Sequence, residues 1–451
     1  MNPPRCRPSS VRPPRNPASR DPAPRGPVEP LGTAPRRAAL RVLDAVLRRG
    51  ESIEQALPQA TRAVHGPDRA LAHAIAAETL RRLPDLDALI DSATKQPLPD
   101  DSKARMALRI ALAQTLVLGT PAHAAIATVL PLVDGGPKRL VHGVFGTLSR
   151  SNAVLPEVPT LPAAAADRWR SAWGEEAVQG IARAVAAPPP LDVTIADPAQ
   201  TDRWCAELGG VSLASGHVRI PSHPPVPDMP GYAEGAWWVQ DVAASIPVRL
   251  LESGAGEALD LCAAPGGKTL QLAAAGWTTT AVDLAPKRIG RLRENLARTG
   301  LSVAVVTADL LDWTPPAPVD AVLLDAPCSA TGIVRRHPET LYRVLPRLIA
   351  EMAQVQAALL ARAADWVKPG GSLVYASCSL EREEGEAQAE AFLAARPEFT
   401  VRAPGTGVLP AGIVATEQGW VRTLPGMLAE AGGCDGFFVA RFVRAPSSPR
   451  T

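Results

Sequence analysis

Two cysteines in the second half of the chain have the character of reactive nucleophiles. Cys328 lies in the motif Asp-Ala-Pro-Cys-Ser-Ala-Thr-Gly, and Cys378 lies in Ala-Ser-Cys-Ser-Leu. A cysteine thiolate is the strongest ordinary side-chain nucleophile near neutral pH, although only a few per cent of a free thiol is ionised at pH 7. The two motifs therefore suggest covalent catalysis by cysteine.

The segments before these cysteines are typical of buried strands. Residues 319–324 and 371–375 form two apolar runs of the kind found in parallel sheets. In an open α/β sheet the carboxyl ends of the strands form the ligand crevice. If the two strands are neighbours, we expect both thiols to face one pocket.

A third segment has the pattern of a nucleotide-binding loop. Residues 260–269, Asp-Leu-Cys-Ala-Ala-Pro-Gly-Gly-Lys-Thr, form a strand, a tight loop and the start of a helix, and Gly266 and Gly267 allow close approach of a ligand. The loop is neither a P-loop nor GxGxxG, which disfavours ATP and NAD. Asp283 and Asp309 end the next two strands, where a carboxylate suits a ribose diol and the adenine end respectively. An acidic crevice also tolerates a positively charged sulfonium cofactor.

The elements that position these motifs alternate between strand and helix. The predicted strands cover residues 257–262, 278–283, 303–307, 319–324, 371–375 and 436–442. Because helical patterns separate most of these strands, the sequence predicts a doubly wound α/β domain over residues 229–445.

The rest of the chain divides by composition. Residues 34–150 show helical spacing of apolar residues without a strand pattern, which predicts an all-α domain. The other predicted segments are a disordered Pro/Arg-rich tail at 1–33, a linker at 151–160, a small α/β middle region at 161–228 and a terminal tail at 446–451.

The charge distribution and the cysteine spacing limit which partners and cofactors we expect. The chain has a net charge of +2, but residues 1–150 hold 22 Lys and Arg against 13 Asp and Glu, which favours contact with a polyanion. The six cysteines form no CxxC pair, so we expect reduced thiols in a cytoplasmic protein and no metal site. No apolar run is long enough for a membrane span, and no long apolar surface helix stands out, so we expect a monomer without membrane contact.

Together these motifs resemble the bacterial Sun/Fmu group of 16S rRNA cytosine-C5 methyltransferases, within the wider NOL1/NOP2/Sun family. The resemblance covers residues 230–445 through the three motifs above and the final Asp-Gly-Phe-Phe-Val-Ala-Arg. The helical region at 34–150 resembles a NusB-like RNA-binding domain, which precedes the catalytic domain in this group. The implied architecture is an all-α NusB-like domain, a small α/β region and a Rossmann-like methyltransferase domain.

The resemblance also implies roles for individual residues. Cys378 is the expected nucleophile, Cys328 the residue that assists product release, and Asp325 a neighbour of both cofactor and target base. Asp283 is expected to hold the ribose of S-adenosylmethionine, and Asp309 its adenine. The methionine portion is expected on a loop of seven residues: Cys262, Ala263, Ala264, Pro265, Gly266, Gly267 and Lys268.

Two alternatives remain beside this interpretation. In DNA cytosine methyltransferases the Pro-Cys motif holds the attacking thiol, which would make Cys328 the nucleophile, whereas the second thiol at Cys378 favours the RNA arrangement and no DNA partner. A non-enzymatic RNA-binding assembly or antitermination factor is the other function class. One departure from the family pattern is Leu341 and Tyr342, which replace the usual Lys and Trp and put contacts of the substrate loop in question.

Overall fold

The computed structural model describes Met1 and residues 30–447. Most of the expected tail over 1–33, and most of the expected terminal segment 446–451, lie outside the described residues. The first helix begins at Thr33, at the end of the predicted tail.

The N-terminal third of the described chain is helical, as the apolar spacing predicts. The helix α5 is buried on nearly all sides and forms the centre of this domain, with apolar side chains of the other helices packed around it. The helices are α1 (Thr33–Arg49), α2 (Ile53–Ala60), α3 (Pro67–Arg81), α4 (Leu83–Ser92), α5 (Lys103–Leu116), α6 (Ala122–Val129) and α7 (Gly136–Arg150).

A small antiparallel sheet follows, in the strand order β2-β1-β3. The third strand, β3, comprises Trp237–Val239. The sheet therefore extends past residue 228, where the middle region is predicted to end. The preceding long helix packs on the catalytic domain through the buried Trp169. The elements are α8 (Ala163–Val185), β1 (Leu191–Ile195), α9 (Thr201–Leu208), β2 (His217–Ile220), β3 (Trp237–Val239) and α10 (Ile246–Arg249).

The C-terminal part alternates strands and helices. The helices are α11 (Gly267–Ala274), α12 (Pro286–Thr299), α13 (Thr340–Arg343), α14 (Pro346–Asp365) and α15 (Glu386–Ala395). The strands are β4 (Glu257–Leu261), β5 (Thr278–Asp283), β6 (Ala304–Thr307), β7 (Val319–Asp325), β8 (Val367–Ser377), β9 (Phe399–Val401), β10 (Val421–Thr423) and β11 (Phe437–Arg444).

These eight strands form one sheet with a parallel centre. The order is β10-β11-β8-β7-β4-β5-β6, with β9 paired to β11; β4 to β8 run parallel, and β11 is antiparallel to its neighbours. Strands β7 and β8 are adjacent, and Asp325 pairs with Ala376 at their carboxyl ends. The carboxyl ends of β4, β5 and β6 lie along the same edge, so the sheet places all the predicted motifs there.

The helical domain packs against the segment that follows the first cysteine motif. The Tyr342 hydroxyl donates a 2.7 Å hydrogen bond to the Leu80 carbonyl, and the Glu339 carboxylate accepts one from the Ile53 amide at 3.2 Å. Leu341 is buried. Tyr342 therefore lies against the helical domain, and Leu341 packs in a buried cluster with Trp169 of α8. The predicted disturbance of substrate contacts receives no support from these positions.

Within residues 30–447, no helix combines the length and apolar character that crossing a membrane requires.

Candidate active site

The two cysteines of the predicted catalytic motifs lie side by side. Cys328 Sγ and Cys378 Sγ are 3.3 Å apart, within hydrogen-bonding distance for sulfur. The arrangement follows from the sheet, because each cysteine comes shortly after the carboxyl end of its strand and the two strands are parallel neighbours. The expectation that the strand pair brings both thiols to one place is confirmed.

The surroundings of Cys378 hold its thiol in the protonated form. Its pKa is raised well above the ordinary value, first by the hydrogen bond with Cys328 and then by burial. Negative charge on Cys328 and Asp325 acts in the same direction, while the Lys268 ammonium opposes it. The thiolate fraction of Cys378 is therefore smaller than that of a free cysteine at the same pH.

An ion pair connects the glycine-rich loop to the cysteine-bearing strands. Lys268 Nζ lies 2.7 Å from Asp325 Oδ2 and 5.2 Å from the centre of the Phe437 ring. Burial is the largest influence on the pKa of Lys268 and lowers it, but the pair with Asp325 and the nearby Cys378 and Asp260 outweigh burial and raise the pKa. The predicted loop and the predicted nucleophile thus belong to one site.

The backbone of the glycine-rich loop has positive φ angles at Cys262 and Gly266. Gly266 has φ +110°, and a Cβ atom there would come within 2.4 Å of Leu292 Cδ1. Cys262 adopts φ +60°, an unusual value for a residue with a side chain, and such strain is typical of ligand sites. Thr269, in the first turn of α11, donates a 2.5 Å hydrogen bond to Asp260, whose pKa burial raises to about 7.

The two predicted acids lie at the ends of the next two strands. Asp283 ends β5 and is buried; its carboxylate oxygens accept hydrogen bonds from the Ala264 amide at 3.0 Å and the Ala285 amide at 2.9 Å. Asp309 follows β6, is half-buried, and accepts a bond from the Leu311 amide at 2.9 Å. Both acids shape the crevice edge, and each carboxylate retains free lone pairs.

Two exposed leucines beside these acids were missed by the sequence reasoning. Leu284 is 62% exposed and Leu311 is 45% exposed, and they follow Asp283 and Asp309 closely in the chain. Large exposed apolar side chains are few in the described chain and otherwise scattered. Their adjacency to the strand-end acids would have been the available signal.

A buried carboxylate behind the cysteines was also missed. Glu384 is fully buried and accepts hydrogen bonds from Ser329 and Ser379, the residues that follow the two cysteines. A sequence offers no reliable sign of such a contact, because an acidic residue is normally solvated.

The thiol contact at the site involves none of the remaining described cysteines. Cys205, Cys262 and Cys434 are free thiols, and burial raises the pKa of Cys262 to about 12. Among the described residues, no cluster of three or more His, Cys, Asp or Glu has the arrangement of a metal site.

Comparison with known families gives two matches along the chain. The model of the family described as 16S rRNA methyltransferase RsmB/F matches residues 249–443, and the model of the NusB family matches residues 33–141. The expected all-α NusB-like domain followed by a Rossmann-like methyltransferase domain is confirmed.

Relatives align with nearly the whole chain. A protein named ribosomal RNA small subunit methyltransferase B from Klebsiella pneumoniae is 34% identical over 438 residues, which covers 91% of this chain and 98% of the relative. The protein of that name from Xylella fastidiosa is also 34% identical, over 92% and 98%. The crystal structure of PH0851 shares the fold with a TM-score of 0.69 at 22% identity, covering 92% of this chain and 99% of that chain.

The site fits the cofactor of such enzymes, S-adenosylmethionine. The glycine-rich turn leaves no room for a side chain at Gly266, and acids stand at the ends of the two strands after it. With this site, with both family matches and with relatives aligned from end to end, the chain belongs to the RsmB family of ribosomal RNA small subunit methyltransferases.

Proposed function

We propose that this protein transfers a methyl group from S-adenosylmethionine to C5 of a cytosine in 16S rRNA, through a covalent bond between Cys378 and C6 of the base. The observation that carries the proposal is the pair of sulfur atoms 3.3 Å apart, beside a loop whose Lys268 pairs with Asp325. One thiol suffices for covalent attack, so a second thiol in contact with it suggests two separate tasks.

The chemistry requires a nucleophile because C5 of cytosine is unreactive in the aromatic ring. Addition of the Cys378 thiolate to C6 breaks the aromaticity and makes C5 electron-rich. The cofactor supplies an electrophilic methyl group on a sulfonium. After C5 has accepted the methyl group, a base such as a water molecule takes its remaining proton. The electrons of that C–H bond re-form the C5–C6 double bond as the bond between sulfur and C6 breaks and Cys378 leaves as a thiolate.

Cys328 is assigned to the release step. Its sulfur is within hydrogen-bonding distance of Cys378 Sγ, so its S–H group can donate to the sulfur as that sulfur leaves C6. A hydrogen bond to a developing thiolate lowers the free energy of its departure. Cys328 as the nucleophile, by analogy with DNA methyltransferases, leaves the second thiol of Ser-Cys-Ser-Leu without a task.

The ion pair beside the thiols is assigned to orienting the base. Cytosine presents an amino group as donor and ring N3 as acceptor, and a carboxylate beside an ammonium complements this pair. We assign Asp325 to the amino group and Lys268 to the ring nitrogen. The 2.7 Å contact between Lys268 Nζ and Asp325 Oδ2 supports this assignment, because it places the two groups side by side.

The cofactor is assigned to the edge formed by β4, β5 and β6. The loop from Cys262 to Lys268 holds the methionine portion, and Asp283 and Asp309 hold the ribose and the adenine. Leu284 and Leu311 offer apolar contacts for the adenine ring. Because Asp283 already accepts two backbone amides, it also fixes the loop in place.

The helical domain is assigned to RNA binding. A target base must be unstacked to reach the thiols, which costs least in loops and at helix ends. Exposed cations on α7, Lys138 and Arg139, are available to contact the phosphates that flank such a base.

We further propose that the protein acts in the cytoplasm as a monomer, since its exposed large apolar side chains are scattered over the described chain apart from Leu284 and Leu311.

The test uses two single variants with 16S rRNA and tritium-labelled S-adenosylmethionine. We expect Cys378→Ala to lose methyl transfer while its dissociation constant for the cofactor stays within about twofold, because its sulfur contacts the base only. We expect Cys328→Ala to attack but not release, which leaves a protein–RNA adduct that migrates slowly on a denaturing gel.

Two results would contradict the proposal. Normal turnover by Cys378→Ala would remove it as the nucleophile, and an adduct in Cys378→Ala but not in Cys328→Ala would exchange the two roles. Bisulfite sequencing of 16S rRNA, with and without the protein, reports both the reaction and the modified position. An unchanged bisulfite pattern together with tight RNA binding would favour the non-enzymatic class, against which both thiols and the family membership stand.

A further inference from the structure

A buried carboxylate lies directly behind the two thiols. Glu384 is fully buried, and each of its oxygens accepts two hydrogen bonds. Oε1 accepts the Ser329 amide at 2.8 Å and Gln356 Nε2 at 3.1 Å. Oε2 accepts the hydroxyl groups of Ser329 and Ser379, the latter at 2.5 Å. A carboxylate with four donors is a fully satisfied acceptor rather than a stray buried charge.

The donors are the immediate neighbours of the reactive cysteines. Ser329 follows Cys328, and Ser379 follows Cys378. Gln356, which reaches over from α14, also donates a 2.8 Å hydrogen bond to the Pro327 carbonyl, on the other side of Cys328. One side chain, Glu384, therefore joins the two loops on which the sulfur atoms are mounted.

Other hydrogen bonds between the two loops partly depend on the same carboxylate. The Gly332 amide donates to the Cys378 carbonyl at 2.9 Å, and the Ser329 and Ser379 hydroxyls lie 3.1 Å apart. The contact between these hydroxyls is itself oriented by Glu384, since both donate to the same oxygen. Removal of the carboxylate acceptor would leave two hydroxyls and an amide to find other partners.

We propose that Glu384 is a positioning residue that fixes the distance between Cys328 Sγ and Cys378 Sγ by holding Ser329 and Ser379 on one carboxylate. The effect of Glu384 on catalysis rests on the proposed function. Its effect on the distance between the two sulfur atoms does not, and it can be tested separately. Attack and release both depend on where the two sulfurs lie relative to each other and to C6. A displacement of about 1 Å in such an arrangement costs about 10²-fold in rate.

The geometric test measures disulfide formation and needs neither RNA nor cofactor. Diamide, a two-electron oxidant, forms one S–S bond from two thiols and takes up their two protons and two electrons. The product that joins Cys328 to Cys378 is quantified by peptide mass spectrometry against time. We expect Glu384→Gln, which is nearly isosteric but replaces one acceptor oxygen by a donor, to slow this bond at least about fivefold, as the sulfurs separate.

The catalytic test measures methyl transfer by the same variant. We expect kcat to fall about 10²-fold while the KM values for S-adenosylmethionine and 16S rRNA stay within about twofold, because Glu384 contacts neither. Ser379→Ala, which keeps the carboxylate and removes one donor, should give an intermediate loss in both measurements.

The matched control is Glu381→Gln. Glu381 is a buried acid of the same segment, but its carboxylate contacts Trp169 and Arg168 on α8 instead of the cysteine loops. We expect it to keep the parental disulfide rate and kcat within about twofold, at a similar cost in thermal midpoint.

The outcomes separate the two hypotheses. Parental disulfide rates in both Glu384→Gln and Ser379→Ala would overturn the positioning role, whatever happens to catalysis. An equal slowing in Glu381→Gln would also overturn it, because the effect would then follow from general destabilisation. A slowed disulfide with no methyl transfer in the parent protein would leave the positioning role standing and reject the proposed function instead.

Discussion

The contact with Cys328 affects how readily the Cys378 thiol ionises. The hydrogen bond between Cys378 and Cys328 is the largest reason that the pKa of Cys378 is raised, and burial is the next. Lys268 works against this effect from the cofactor side. Together these influences favour the protonated thiol of Cys378.

The first prediction concerns the pH dependence of this thiol. A raised pKa means that the thiolate fraction at pH 7 is smaller than that of a free cysteine and grows about tenfold per pH unit below the pKa. We expect alkylation of Cys378 by iodoacetamide to accelerate steadily from about pH 7 to about pH 9. Cys328→Ala should shift this profile to lower pH, because it removes the largest cause of the raised pKa.

Peptide mass spectrometry resolves the alkylation of each cysteine, and Cys205, a half-buried thiol outside the site, serves as the internal reference. A profile for Cys378 that reaches its plateau below about pH 8, or that does not move in Cys328→Ala, would contradict the described electrostatics.

At the scale of the elements, the loop between β4 and α11 depends on one glycine. Gly266 combines φ +110° with a close approach to Leu292, so a side chain there meets both backbone strain and a contact at 2.4 Å. The loop is also held by the Ala264 amide, which donates to Asp283, and by the pair of Lys268 with Asp325. A local change at the glycine should therefore alter the whole cofactor edge.

The second prediction follows from this strain. Gly266→Ala should weaken S-adenosylmethionine binding at least about tenfold, since strained backbone costs of order 1–3 kcal/mol and about 1.4 kcal/mol is a factor of ten. Titration calorimetry gives the dissociation constant. Gly290→Ala is the control: this residue lies within α12 with no atom near its Cβ position, and it should leave binding unchanged. Equal affinities in the two variants would show that the loop adapts without cost.

A second element, α13, connects the catalytic domain to the helical domain. It lies downstream of Cys328 and carries Tyr342, whose hydroxyl reaches the last turn of α3 at Leu80. Carbonyl groups in a last helical turn lack partners within the helix, so this hydrogen bond satisfies one of them. Arg81 extends the contact, with hydrogen bonds to the carbonyls of Val185 and Arg335.

The third prediction tests this interface. Tyr342→Phe removes one buried hydrogen bond and should lower the free energy of unfolding by about 0.5–1.5 kcal/mol. Tyr342→Ala also removes the ring and should cost about 3–5 kcal/mol, enough to loosen the helical domain. Limited proteolysis within residues 151–160 measures the loosening. If Tyr342→Ala is cleaved at the parental rate, the interface does not hold the two domains together.

At the scale of the whole molecule, the distribution of charge decides where RNA can lie. The excess of cations is in the front of the chain, where residues 1–150 hold 22 Lys and Arg against 13 Asp and Glu. A deletion of this region, however, would remove the contact of Tyr342 with the helical domain and disturb the catalytic domain. Single-residue changes on the exposed surface give a cleaner test of RNA contact.

The fourth prediction therefore uses two cations of α7. The double variant Lys138→Ala/Arg139→Ala should weaken 16S rRNA binding and reduce the salt dependence of log K by roughly 0.7–0.9 for each phosphate that is no longer neutralised. Cofactor binding should not change. Arg203→Ala/Arg347→Ala, which removes two exposed cations elsewhere, should retain the parental salt slope. Identical slopes in both double variants would place the RNA on another surface.

Local sequence determined the chemistry of this protein. The two cysteine motifs, the Gly-Gly turn and the strand-end acids are short-range patterns, and the parallel strands that carry them are apolar runs that only a buried sheet accommodates. Because carboxyl ends of parallel strands meet at one edge, the sequence predicted that Cys328 and Cys378 face one pocket if their strands are neighbours, and the structure shows that they are.

Tertiary structure decided what depends on contacts between distant segments. The extension of the small sheet to β3, the contacts of Leu341 and Tyr342, and the burial of Glu384 behind the thiols each join residues far apart in the chain. An acid is usually solvated and a tyrosine can lie on any surface, so the residue type alone does not predict the contacts of Glu384 or Tyr342. Only the packing of the domains shows that one acid links both cysteine loops and that one tyrosine links two domains.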